Sequence, residues 1–189
     1  MLADGGSVKR EGEGLMKSRV AVVGMLALAL IALSGVESSE AEQKTICEAT
    51  FDNMDISPGF WREGSSGTFT TNGEAGSRVV CNGPVNGKQP TGPGTYSGSG
   101  RYGTKDPDTC DNAEGTYEAY ITVPTADGSQ KVTNKGDWVA GAFKGGGAFG
   151  GEFTGENGDG TFEATPKKGD CVSSPMTQIR GVVRWTLRG

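Results

Sequence analysis

The side chains able to do chemistry in this sequence are carboxylates, cysteines and aromatic rings, because its 189 residues include no histidine. That absence removes Ser-His-Asp and Cys-His catalysis, His-ligated zinc and the usual proton shuttle near neutral pH. Paired carboxylates can still cleave glycosides when they flank a sugar, and Glu118, Glu152 and Glu163 fall in strand-like stretches. All three sit on the polar side of their alternation, so a solvated outer face is expected for them. The loop KDPDTCDNAEG gathers Asp106, Asp108, Asp111 and Glu114, and oxygen-rich loops of this kind take calcium. The spacing departs from an EF-hand, since Cys110 stands where a ligand is needed and the glycine and distal glutamate are displaced. Glu156, Asn157 and Asp159 form a second, smaller acidic group. Ordinary turn chemistry accounts for both, because Asp and Asn bond to their own backbone. No catalytic residue is assigned, a non-enzyme is expected, and calcium at the first loop is the sole cofactor considered.

Aromatic faces suit sugars and apolar ligands alike, and Trp61, Tyr96, Tyr102, Tyr120 and Trp138, with Phe60 beside them, are the candidates to line a groove. Core packing competes for Trp138 and Trp185, since large aromatics dominate small cores. Tyr120 stands apart, on the otherwise polar side of its stretch. The four cysteines, Cys47, Cys81, Cys110 and Cys171, are widely spaced, whereas zinc sites show close pairs such as CxxC. An even count in an exported chain reads as two disulfides. Three pairings exist; sequential pairing suits a meander, so Cys47 with Cys81 and Cys110 with Cys171 is expected.

These residues need a scaffold, and the spacing of apolar positions points to strands. In GTYEAYITV, residues 115–123, Tyr117, Ala119, Ile121 and Val123 share one face and Thr116, Glu118, Tyr120 and Thr122 the other. QIRGVVRWTL, 178–187, repeats the pattern with Ile179, Val183, Trp185 and Leu187 inward. Further strands are expected at 66–71, 77–82, 94–101, 137–143, 147–154 and 159–166, separated by turn-forming residues. The 33 glycines follow no strict repeat and punctuate these stretches. No stretch after Ala41 carries the three- and four-residue spacing of a helix. The expectation is all-β: an antiparallel meander of about eight strands forming an up-and-down barrel or barrel-like sandwich. Glycines inside the strands fit strong curvature. Inward small residues such as Ala140, Ala142 and Gly151 would either leave room for one small ligand or match that curvature.

Residues 20–33, VAVVGMLALALIAL, form an apolar run of 14 preceded by Lys17 and Arg19. It is shorter than the roughly 20 residues a membrane span needs, and small polar residues follow it. A signal peptide helix cleaved after Ala41 is expected, with Met16 as an alternative start and an uncleaved anchor as the competing reading, so that membrane contact is confined to this segment. The domain then covers residues 42–189, and the 1–41 portion is extension and signal. From Glu42 onward 14 Lys and Arg face 18 Asp and Glu, which disfavours nucleic acid as a partner.

DGTFEATPKKGDCVSSPMTQIRGVVRWTL, together with YGTKDPDTCDNAEGTYEAYITVP, resembles the Gly/Thr-rich, four-cysteine β-domains of small, functionally uncharacterised exported bacterial proteins. The resemblance spans about half the chain and implies an all-β, disulfide-bonded, secreted or envelope protein; it implies no activity and no functional residue. The expectation is an exported non-enzymatic binding or surface-interaction domain, monomeric or weakly oligomeric, with no identified partner. A small-ligand or carbohydrate-binding barrel with weak carboxylate catalysis, and a passive envelope component, are the alternatives.

Overall fold

The computed structural model describes residues 44–71, 77–141 and 147–188; the expected signal segment and Ala142 lie outside the described residues. Nine antiparallel strands form one sheet: β1 (Thr45–Phe60), β2 (Gly67–Thr71), β3 (Arg78–Asn82), β4 (Thr95–Tyr102), β5 (Ala113–Thr125), β6 (Gly128–Ala140), β7 (Phe149–Gly155), β8 (Gly158–Lys168) and β9 (Met176–Leu187). Neighbours run β2-β4-β5-β6-β7-β8-β9-β1-β3, and β2 also pairs with β1, which closes the sheet into a barrel.

β2 and β3 share one position in that barrel. The end of β1 pairs with β2 through Asp55 to Ser57, and its beginning pairs with β3 through Ile46 to Thr50. On the far side β2 follows β4 along its length, while β3 meets the chain before β4 at a Val79–Gly94 bridge. Eight positions therefore circle the axis in chain order, as expected of an up-and-down meander. Closure satisfies the backbone groups that an open sheet would leave exposed at its edges.

β1, with 16 residues the longest strand, was not among the expected ones. Its alternation puts Cys47, Ala49 and Phe51 inward, then slips at the register shift between Phe51 and Met54, and again between Asp55 and Phe60. The second slip contains the cis Ser57–Pro58 bond and Gly59 in the left-handed region. Two register slips and an internal proline hide a strand from a period-of-two search. β6 also begins nine residues before the expected 137, because its first half, GSQKVTNKG, carries one apolar residue, Val132.

The inner face is built of aromatic residues with glycine opposite them on the next strand. Phe51 lies across from Gly181, Phe69 and Tyr117 from Gly100, Trp138 from Gly115, Phe162 from Gly151, and Phe153 and Trp185 from Gly160. A Cβ at Gly100 would stand 2.3 Å from Phe69 Cζ, one at Gly151 2.4 Å from Phe162 Cζ, and one at Gly160 2.5 Å from Phe153 Cζ. The rings therefore lie down over the glycine backbone, filling an interior that eight strands leave just wide enough for side chains. The outer face is threonine and charge, including Glu48–Arg184–Glu163 across β1, β9 and β8 and Lys135–Glu118 across β6 and β5. A lipid-facing barrel has the reverse alternation.

Both disulfides have the expected pairing. Cys47–Cys81 joins directly opposed residues of β1 and β3, and Cys110–Cys171 joins the β4–β5 and β8–β9 loops. With partners 34 and 61 positions apart in sequence, loop-closure entropy assigns about 4 kcal/mol to each. The ends of the barrel differ. At one, β5–β6 and β7–β8 turn in two residues, and the Val85–Lys88 turn, with Asn86 and Gly87 both at positive φ, inserts the fully buried Val85. At the other, the β1–β2, β4–β5 and β8–β9 loops are tied together by Ser65–Asp108 backbone bonds, the Arg62 N–H to Cys171 C=O bond and the Cys110–Cys171 bridge.

Gly160→Ala separates this packing from turn effects. Its Cβ would also meet Arg184 O at 2.0 Å, so overpacking is expected to cost about 3 kcal/mol. Gly87→Ala meets nothing within 4 Å and bears only the left-handed backbone cost of about 1 kcal/mol. Urea unfolding of both variants checks the order; equal losses would contradict it.

Candidate functional site

An apolar cavity of about 90 Å³ lies in the barrel interior. Phenylalanines from four strands line it: Phe51 and Phe60 of β1, Phe69 of β2, Phe149 and Phe153 of β7, and Phe162 of β8. Met54, Ile56, Ala119, Ile179 and Val183 complete the apolar wall. The rings meet edge to face, with Phe69 to Trp138 at 5.7 Å and 81° and Phe153 to Trp185 at 6.5 Å and 82° between centroids and planes. Such pairs favour the aromatic quadrupole and hold one another in place.

One end of the lining is polar. Asn134 of β6 is fully buried; its Nδ2 donates to Tyr117 Oη at 2.7 Å and to the Gly158 carbonyl at 2.9 Å, and its Oδ1 accepts from the Asn157 N–H at 2.8 Å. These bonds tie β5, β6 and the β7–β8 turn around one amide, and satisfied burial of this kind fixes geometry. Desolvation pushes the Tyr96 hydroxyl up to about 12, and pushes Tyr117 further in the same direction, against the opposing bond from Asn134. Both phenols are neutral hydrogen-bonding groups across the physiological range.

The expected site residues divide. Tyr96 and Trp138 line the cavity, Trp138 with its Nε1 on the Arg101 carbonyl at 3.3 Å. Tyr102 is buried toward the loop end, stacked on Phe60 at 4.3 Å, where its hydroxyl accepts from the Gly59 N–H. Tyr120 is on the outer face, with Lys131 Nζ 4.1 Å from its ring centroid and its hydroxyl among the groups that lower the Glu118 carboxyl. Trp61 follows β1 outside the cavity, beneath the Arg62 guanidinium. Phe60, also among the groove candidates, lines the cavity, whereas Tyr117, Asn134, Trp185 and the other phenylalanines of the lining were not among the expected ligand residues. The signal for several was present in the spacing GAFGGEFTGENGDGTFEAT, where each inward phenylalanine has an inward glycine two residues away.

The carboxylates do not converge on the cavity. Glu118, Glu152 and Glu163 point outward, and the lining contains no acid. Of the acidic loop, Asp108 is buried and accepts the N–H groups of Gly103 and Glu114; desolvation raises its carboxyl and these bonds pull it back. Glu114 pairs with Lys105, while Asp106 and Asp111 are exposed. Among the described residues, no three His, Cys, Asp or Glu side chains gather into a metal-sized group. Of the second acidic group, Asp159 takes two bonds from Arg188 and Asn157 Nδ2 caps the Thr133 carbonyl, leaving Glu156.

A larger hollow of about 530 Å³ lies beside the Val85 turn, with Asn86, Lys131, Asn157 and Arg188 around it. Its cations are already engaged, Arg188 by Asp159 and Lys131 by Tyr120, so the aromatic cavity is the stronger site.

No family model, curated protein or solved structure matches this chain. What the barrel can do therefore rests on its own interior.

Raised phenols have a stability consequence. Unfolded tyrosine ionises near 10, so the benefit of burying neutral Tyr96 is complete below pH 10 and is lost as the pH climbs toward about 12. The expected loss is about 1.4 kcal/mol per pH unit for this group alone. Urea unfolding across that window, with phenolate absorbance followed in parallel, checks it; all four tyrosines titrating near 10 in the folded barrel would contradict it.

Proposed function

We propose that the chain is an exported, non-enzymatic binding barrel that holds a small apolar molecule in its interior. The observation that carries this reading is the 90 Å³ cavity among mutually locked aromatic side chains. Cores are normally packed to crystal-like density. At about 24 cal/mol per Å³, a vacancy of this size costs about 2 kcal/mol, a loss that an occupant would recover. A buried apolar cavity of about 150 Å³ is known to admit benzene, so the smaller space here suits nothing larger than a single compact ring and falls short of the 300 Å³ or more typical of drug-sized ligands.

Export is supported by two disulfides with no free cysteine among the described residues, since such bonds persist in oxidising compartments, and by the charged, apolar and small-residue order of residues 17–41. The non-enzymatic reading is supported by outward carboxylates and a lining without acid or base. A sugar platform on the outer face has less support, because the Tyr120 ring is already covered by Lys131.

Benzene tests this reading. It is expected to raise the thermal midpoint by several degrees, given that a ligand at a hundred times its Kd adds about 2.7 kcal/mol, and to alter the fluorescence of Trp138 and Trp185. Ala119→Leu, which fills the space from β5, is expected to leave the barrel folded and abolish both effects. An unchanged midpoint and unchanged fluorescence in saturated benzene would contradict the proposal.

A further inference from the structure

We infer that the molecule held in the cavity is a neutral, single-ring compound carrying one hydrogen-bond acceptor, and that the indole N–H of Trp185 binds that acceptor; this rests on the interior-binding reading above. Trp185 is 2% exposed and lines the cavity, yet its Nε1 has no hydrogen-bond partner among the described residues. A buried donor left unpaired costs about 1–3 kcal/mol, and the other cavity tryptophan, Trp138, avoids that cost through Arg101. The unpaired N–H lies against Gly158, where an added Cβ would stand 2.4 Å from Nε1. The Gly158 carbonyl is occupied by Asn134 Nδ2, which also donates to Tyr117. Trp185, Asn134 and Tyr117 all line the cavity, and the unpaired Trp185 N–H lies beside the same Gly158 that Asn134 holds.

Size and charge narrow the class further. About 90 Å³ between edge-to-face rings accommodates one ring, which can extend the same edge-to-face packing. No Lys, Arg, Asp or Glu lines the cavity, so a charged guest would be buried without a counter-ion at prohibitive cost. A single water held by the Trp185 N–H and its polar neighbours is the competing occupant, and it would leave the indole signal unmoved when pyridine is added.

Benzene and pyridine share a shape and differ by one acceptor nitrogen. The full chain, labelled with nitrogen-15, is titrated with each at mildly alkaline pH, where pyridine is uncharged, and the indole signals of its three tryptophans are followed. Pyridine is expected to move the Trp185 indole proton downfield while Trp61 and Trp138 hold still, and benzene is expected to bind without that downfield shift. Trp185→Phe is expected to weaken pyridine about tenfold and leave benzene within about twofold. Should both ligands bind with the Trp185 N–H unmoved, the acceptor inference is overturned and interior binding stands. Should neither bind, both fall. If Trp185→Phe does not fold, the wild-type indole signal decides.

Discussion

The structure depends on one packing relation, an aromatic side chain lying over a glycine on the neighbouring strand. Phe69 over Gly100, Phe162 over Gly151 and Phe153 over Gly160 are directly opposed pairs, and in each the glycine leaves no room for even a methyl group. A barrel of eight positions has an interior too narrow for large side chains at every inward place. Alternating a ring with an absent side chain lets each ring fold flat against the wall, and the residual gaps at the axis merge into one cavity. Glycine in a strand normally weakens it through entropy and lost packing. Here the opposed ring replaces the missing side chain and covers the exposed backbone, as in the aromatic rescue used in designed sheets.

From that relation follow both the cavity and its polarity. Rings fixed edge to face cannot collapse into the remaining space without breaking their mutual contacts, so the vacancy persists. Asn134 sits where β5, β6 and the β7–β8 turn converge, and its three bonds close that end with an amide where the pattern elsewhere uses hydrocarbon. The opposite end is governed by cross-links among loops, covalent at Cys110–Cys171 and hydrogen-bonded at Asp108. Asp170 adds to this by accepting the N–H groups of Val172, Ser173 and Ser174 and the Ser173 hydroxyl, which hold its carboxyl down at about 2 and shape the turn that presents Cys171.

Much of this architecture was legible along the chain. The alternation through Tyr117–Val123 and Ile179–Leu187 identified both strands and their inward faces, and the expected meander favoured the sequential cysteine pairing that is observed. β1 escaped because its inward series shifts at Phe51–Met54 and again at Pro58, so no single period describes it. Of the cavity, Phe60, Tyr96 and Trp138 were anticipated from residue type, and Tyr117 was placed on the inner face without a role. Asn134 could not be anticipated, since a polar residue on a sparsely apolar strand acquires its meaning from Tyr117 and Gly158, which only register and closure bring to it. The same holds for the glycines. Phe69 and Gly100 are opposed because β2 pairs with β4, and that pairing is a property of the closed sheet, invisible in either segment alone.

Nuclear Overhauser contacts between ring protons and glycine Hα protons test the central relation most directly. The account predicts contacts from Phe69 to Gly100, Phe162 to Gly151 and Phe153 to Gly160, with those Hα resonances moved upfield by the ring currents. An intact set of cross-strand amide contacts, accompanied by glycine Hα signals at their ordinary positions and no ring contacts, would contradict it.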